Sequence, residues 1–464
     1  MARLAYGRAM SGPANLLSRL SGAPPDAFRR VWALALPLVV ANLSVPLLGA
    51  VDTAVMGHLP DPKFLGAVAV GSLIFSFLYW GFGFLRMGTT GLVAQALGAD
   101  DGPEIRAALG RAVLLALALG LAAWTLMTPV EAISFYLLDA SQEVETEARR
   151  YFSIRIWGAP ATLVNYVALG WFIGMGRTRD ALALQIFMNG LNVVLDIWFV
   201  LGLGLGVAGV AGGTVISEIA AAVFATLLIV ARLRNTPGEW DLALLTNGRK
   251  FWRLAAVNRD IFIRTLLLIF AFAWFTAMGA RLGNEVLAAN AVLLNFLAIM
   301  AFALDAFAHA AESFVGQAMG RRDRDRLSEG VRASFWLAGL SAVGFSVLYL
   351  AAGGLVIDLF TSIPEIRDQA RDYLIWAALA PVLGVWCYQF DGIFIGATRT
   401  RDLRNTMVVS TGLYLAVSYA ALLSFGNHGL WAALDLFLAL RGLTLALRYP
   451  ALLANLQLER TARG

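Results

Sequence analysis

A few polar residues in otherwise apolar stretches set the chemistry open to this 464-residue chain. Asp52 lies deep in the run 31–59, where a carboxylate has little water to ionise into; acids in such places are costly and usually functional. Asn192 and Asp196 stand four apart and share a helix face, as do Thr214 and Glu218. The second pair follows Gly209-Val-Ala-Gly-Gly213, whose small residues permit close helix approach. If these faces meet, two carboxylates share one dry pocket and cannot both ionise cheaply. Either one carboxyl holds a proton, or carboxylates, amide and hydroxyl together hold a hard cation such as Na+. The sequence leaves both cases open. It also leaves Glu218 free to pair with an arginine, and Asn192 and Thr214 to serve as interhelical hydrogen-bond partners. Asn165, Asp305 and Asp391 are further candidates for lining a cavity.

Other chemistries are poorly served. Three histidines and one cysteine, Cys387, give no zinc set, and His58 and His309 lack further ligands at useful spacing. No Gly-x-x-x-x-Gly-Lys-Ser/Thr loop is present for ATP, and Asp100-Asp101 has no second acidic motif for a metal-dependent transferase. We expect no enzyme activity and no cofactor, with an ion gradient as the source of energy.

The elements that must position these residues are membrane helices. The chain is 59% hydrophobic and only 14% charged, with a mean hydropathy of +0.71. The net charge of +5 comes from short clusters between apolar runs, a pattern of topology signals rather than of nucleic-acid binding. Twelve runs are long enough to cross a bilayer, near 32–58, 65–97, 106–128, 146–174, 181–202 and 208–232, then 259–281, 287–318, 330–358, 368–396, 404–424 and 428–448. Arg177 with Arg179, Arg234 to Arg253, Arg321 to Arg326, and Arg399 with Arg401 then fall on one side, which the positive-inside rule makes cytoplasmic, together with both termini. Residues 1–30 carry five arginines and no signal-peptide pattern. The expected organisation is a cytoplasmic segment 1–30, a six-helix lobe 31–232, a cytoplasmic linker 233–258, a second six-helix lobe 259–448 and a cytoplasmic tail 449–464.

The two lobes repeat. Phe172-Ile-Gly-Met-Gly-Arg-Thr-Arg-Asp180 recurs as Phe394-Ile-Gly-Ala-Thr-Arg-Thr-Arg-Asp402, identical at seven of nine positions and 222 residues later. Met56-Gly57 and Met278-Gly279, Leu65 and Leu287, Gln95 and Gln317, and Tyr151 and Tyr373 keep the same offset. Six spans per unit preserve orientation, so a parallel repeat follows, the plan of secondary transporters with substrate bound between lobes. The offset also shows what the repeat does not require: Asp52 maps to Trp274, Asn192 to Tyr414 and Asp196 to Ser418.

The parallel repeat, Pro37 fifteen residues before Asp52, Asp52-Thr-Ala-Val-Met-Gly57, Asn192 with Asp196, Thr214 and the doubled Arg-Thr-Arg-Asp loops together resemble the multidrug and toxic compound extrusion (MATE) family, most closely its DinF-like branch. The resemblance spans about residues 30–450. It implies an all-α two-lobe fold of twelve transmembrane helices and a coupling site for H+ or Na+ at Asp52, Asn192, Asp196 and Thr214. It further implies a first helix that bends at Pro37, and export of amphipathic or cationic organic compounds across a bacterial cytoplasmic membrane. Small organic substrates and lipids are the expected partners, and a two-lobe monomer needs no other. The rival is a lipid or lipid-linked-oligosaccharide flippase of the same superfamily. A major-facilitator transporter fits less well, since Gly98-Ala-Asp-Asp-Gly-Pro-Glu104 lacks the basic signature expected between spans two and three.

Overall fold

The computed structural model describes residues 18, 21–57, 61–138 and 141–461, and among these no strand occurs. The principal helices are α1 (Pro25–Gly57), α2 (Pro62–Gly81), α3 (Phe84–Gly98), α4 (Gly102–Thr125), α5 (Met127–Leu138), α6 (Gln142–Arg155), α7 (Ala159–Gly174), α8 (Thr178–Asp196) and α9 (Gly206–Leu233). They continue with a short α10 (Leu242–Leu245), then α11 (Gly248–Ala280), α12 (Asn284–Arg321), α13 (Arg324–Phe360), α14 (Pro364–Gly396), α15 (Thr400–Ala446) and α16 (Tyr449–Thr461).

Among the described residues, eleven helical stretches are long and apolar enough to cross a membrane. The last of them contains α15, which breaks at Gly426 (φ 57°, ψ −135°). This left-handed backbone suits glycine, which has no Cβ to clash. Gly204, 222 residues earlier, has φ 67° and separates α8 from α9. Dividing α15 at the equivalent residue yields the twelve spans expected from the sequence. The protein is an all-α polytopic membrane protein. Large apolar side chains such as Val223 and Leu227 on α9, and Leu340 and Val347 on α13, are exposed, as lipid-facing residues must be.

The repeat is written into local geometry as well. Asp100 and Arg322, 222 apart, are both left-handed (φ 55° and 57°) although neither is glycine. The next residues, Asp101 and Asp323, cap the following helices by accepting from the backbone N–H of Glu104 and Arg326 at 3.0 and 2.9 Å. Gly174 and Gly396 lie where a Cβ would strike the carbonyl oxygens of Thr90 and Glu312, so α3 and α12 approach α7 and α14 in the same way. One offset therefore describes caps, turns and helix contacts alike.

The chain divides into two compact units, Val40–Phe262 and the described residues of Met1–Val39 with Ile263–Gly464. Val55, Met56, Phe75, Tyr79, Tyr151, Phe152 and Val210 pack the core of the first, where Phe75 stacks on Phe152 at 5.2 Å. Phe275, Phe296, Tyr349, Tyr414, Trp431 and Phe437 pack the second, with Phe275 edge-on to Trp431 at 5.0 Å. Helix α1 passes from one unit to the other between Val39 and Val40, and α11 does so between Phe262 and Ile263. Pro37 stands two residues before the first junction. It lies in the interior of α1, where it withholds a backbone donor from the preceding turn.

Candidate functional site

All four residues of the expected site fall in the Val40–Phe262 unit. Helix α1 supplies Asp52, α8 ends on Asp196 with Asn192 one turn earlier, and α9 supplies Thr214. Asp196 is fully buried and Asn192 nearly so. The carboxyl groups of Asp52 and Asp196 are neighbours, with the Asn192 amide beside Asp196. Asn192 Nδ2 donates to Thr214 Oγ1 at 3.3 Å, and Thr214 in turn donates to the carbonyl of Val210 at 2.8 Å. No donor among the described residues reaches Asp52 Oδ1, Asn192 Oδ1 or either carboxyl oxygen of Asp196. Four buried acceptors without a donor are expensive unless a cation or a proton joins them. With two carboxyls as neighbours, a proton on one supplies a donor that the other lacks.

Two local features open this space. Gly213 faces Asp196 so closely that a Cβ there would collide with Oδ1. Directly after Asp196 the helix widens into a π-helical turn, Ile197–Gly202, whereas the repeat-equivalent residues 419–424 are α-helical. Such turns interrupt the regular backbone hydrogen bonding and recur at functional sites.

The polar face of α8 is longer than the two residues read from the sequence. Gln185, Asn189, Asn192 and Asp196 follow a 4-3-4 spacing that keeps them on one stripe. Gln185 Nε2 donates to Asn189 Oδ1 at 3.0 Å, and Asn189 Nδ2 donates to Ser44 Oγ on α1 at 2.8 Å. Ser44 then donates to the Ala41 carbonyl at 2.6 Å. The spacing carried the signal for Gln185 and Asn189. The repeat mates Met407, Thr411, Tyr414 and Ser418 lack amides and acids, so the stripe belongs to this lobe.

The secondary candidates are placed differently. Glu218 does not join Asp196: its two oxygens take the guanidinium of Arg155 at 2.6 and 2.7 Å, and Thr162 Oγ1 donates to Oε2 at 2.7 Å. Arg155 lies over the rings of Phe75 and Tyr79 at 5.3 and 5.1 Å. Asn165 Nδ2 donates to the Glu218 carbonyl at 2.9 Å. These groups join α6, α7 and α9 through a paired charge, while Asn165 Oδ1 meets no donor among the described residues. Asp391, in the other unit, is held by Arg264 and by Arg441, the latter at 2.7 Å. Asp305 is half-buried and belongs to the same set of charges around Cys387 and Tyr388. The described residues include no cluster of three or more His, Cys, Asp or Glu suited to a metal, and His58 lies outside them.

The geometry can be set beside known proteins. A family model described as MatE matches residues 37–198 and again 261–420, so the matches themselves start 224 and end 222 residues apart. DNA damage-inducible protein F of Escherichia coli (strain K12) is 46% identical over 421 residues, 90% of this chain and 91% of the relative. A probable multidrug resistance protein NorM from Agrobacterium fabrum is 27% identical over 93% of this chain and 95% of its own length. A solved MATE transporter in the bent conformation has the same fold, with a TM-score of 0.85 over 98% of this chain and 100% of that chain at 20% identity. A MOP superfamily transporter from Pyrococcus furiosus gives 0.84 over 97% and 100% at 19% identity. Most of the chain thus falls under the MatE model, and it belongs to that family, the multidrug and toxin extrusion proteins, whose members are transporters of small organic compounds and not enzymes.

Proposed function

We propose that the chain is a secondary active efflux transporter that exports amphipathic or cationic organic compounds in exchange for H+ or Na+. The coupling ion binds at Asp52, Asp196, Asn192 and Thr214. One observation carries this reading: two facing carboxyls in an apolar bundle whose buried oxygens have no donor among the described residues. The closeness of the two carboxyls favours a proton. With both acids ionised, the lobe attracts a cationic compound; entry of the coupling ion cancels that attraction and releases the compound. Binding of the two ligands is then mutually exclusive through one element with two states. Helix α1 is that element, since it carries Asp52 and has Pro37 beside its passage between units. Solved relatives described in a bent and in a straight conformation support a two-state molecule.

The arginine-rich connections support a cytoplasmic location for both termini in a bacterial inner membrane. No second copy is required, because the coupling residues lie within one lobe.

The test uses purified protein in liposomes with ethidium as the transported cation, imposing a proton gradient and a sodium gradient in turn. Movement under one gradient identifies the coupling ion. Movement under neither overturns antiport.

A further inference from the structure

Asp435 is buried in the second piece of α15, 2% exposed, and neither carboxyl oxygen meets a donor among the described residues. Its neighbourhood follows from two independent registers. The two pieces of α15 fold back on each other, with Gly429 against the Ala421 carbonyl and Ser410 Oγ 3.4 Å from Thr444 Oγ1. An antiparallel pairing that joins 429 to 421 and 444 to 410 sets 435 opposite residues 415–419. The repeat gives the same answer. Asp435 is the mate of Gly213, the residue that abuts the Asp196 carboxyl, and the mate of Asp196 is Ser418. In one lobe the acid stands on the first helix of this crossing and glycine on the second; in the other, serine stands on the first and the acid on the second.

The groups at that crossing do not compensate a charge. Ser418 Oγ accepts from Trp274 Nε1 at 3.0 Å and spends its own proton on the Leu415 carbonyl at 3.1 Å. Tyr414, one turn away and buried, has a hydroxyl with no partner among the described residues. Arg441 on the same helix is committed to Asp391, and Cys387, Tyr388, Asp391 and Arg264 gather around it. His428, seven residues before Asp435, is exposed and accepts from Trp376 Nε1. None of these groups is hydrogen-bonded to Asp435, which lies buried. A hard cation needs several oxygen ligands, which a lone carboxyl and a phenol do not supply. An ionised carboxylate with no donor is costly at this depth, and a bound proton removes the cost.

We infer that Asp435 is a proton-binding carboxyl of the C-terminal lobe, separate from the Asp52 and Asp196 pair and exchanging its proton with solution. It stands on residues of its own lobe and holds whether or not the N-terminal site couples transport.

The experiment is infrared spectroscopy of the full-length protein in lipid nanodiscs across a pH series, with exchange into heavy water to assign carboxylic acid C=O bands. The wild type should show a component that fades as pH rises and returns as it falls. Asp435→Asn, a neutral isostere, should lack that component at every pH. Asp435→Glu should restore it at a shifted frequency, which serves if the Asn variant does not fold. The double variant Asp52→Asn, Asp196→Asn should keep it with an unchanged midpoint. An Asp435→Asn spectrum equal to wild type overturns the inference. So does a component that ignores pH, which marks a fixed structural acid, or one that vanishes in the double variant.

Discussion

Trp274 donates its indole N–H to Ser418 Oγ at 3.0 Å, and these are the positions at which the other lobe carries Asp52 and Asp196. The same helix crossing is thus closed by a neutral, satisfied hydrogen bond in one lobe and by two facing acids in the other. The fold needs contact there; it does not need carboxyls. Trp274→Phe keeps an aromatic side chain but loses the indole N–H and part of the ring that packs on the core; the hydrogen bond alone averages about 0.6 kcal/mol in membrane proteins. Unfolding in mixed detergent micelles should register a loss of at least that size, although Ser418 retains its bond to Leu415.

The Arg155 and Glu218 pair should behave quite differently. Both groups are buried and bonded through two nitrogens and two oxygens. Glu218→Gln leaves the guanidinium without its counter-charge and should cost about 3 to 5 kcal/mol of stability. The double variant Arg155→Met, Glu218→Leu should recover much of that loss. Equal losses in the single and double variants would show that the pair's charge balance is not what the site depends on.

Gly213 tests the space around Asp196. A methyl group there collides with the carboxyl, whereas at the adjacent Gly212 nothing lies within 4 Å. Overpacking costs about 1 to 3 kcal/mol, which corresponds to about a fivefold loss or more if it falls on the transport step. Gly213→Ala should therefore reduce ethidium transport by about that factor and Gly212→Ala by less than about twofold. Similar rates for the two variants would contradict the crowded geometry.

Much of this molecule was legible in the sequence because the repeat is strict where geometry is demanding. The doubled Arg-Thr-Arg-Asp loops revealed the offset, and the left-handed pair Asp100 and Arg322 and the capping pair Asp101 and Asp323 obey it in three dimensions. Gly426 is the mate of a glycine that ends a helix, so the break within α15 could be read the same way. The acids of the site stood out because charge in an apolar run is rare.

The partners of those acids were less accessible. Thr214 and Glu218 share a face of α9 by spacing, yet Thr214 meets Asn192 on α8 and Glu218 reaches Arg155 at the end of α6. Four residues of helix advance about 6 Å along the axis, enough to change the neighbouring helix. Spacing within one helix cannot specify what packs against each turn. Ser44 carries no sequence signal for a related reason: a hydroxyl in a membrane helix usually bonds its own backbone, and only packing shows that Asn189 also donates to it.

Asp52→Asn in liposomes, driven by whichever gradient moves ethidium through the wild type, bears most directly on the account. The substitution keeps the shape of the side chain and removes its capacity to exchange a proton or bind a cation as an anion. The expected result is loss of gradient-driven transport by at least about tenfold, equivalent to about 1.4 kcal/mol or more, with the protein still folded by circular dichroism. Transport at the wild-type rate, with the same dependence on the gradient, would contradict a coupling role for the acid pair.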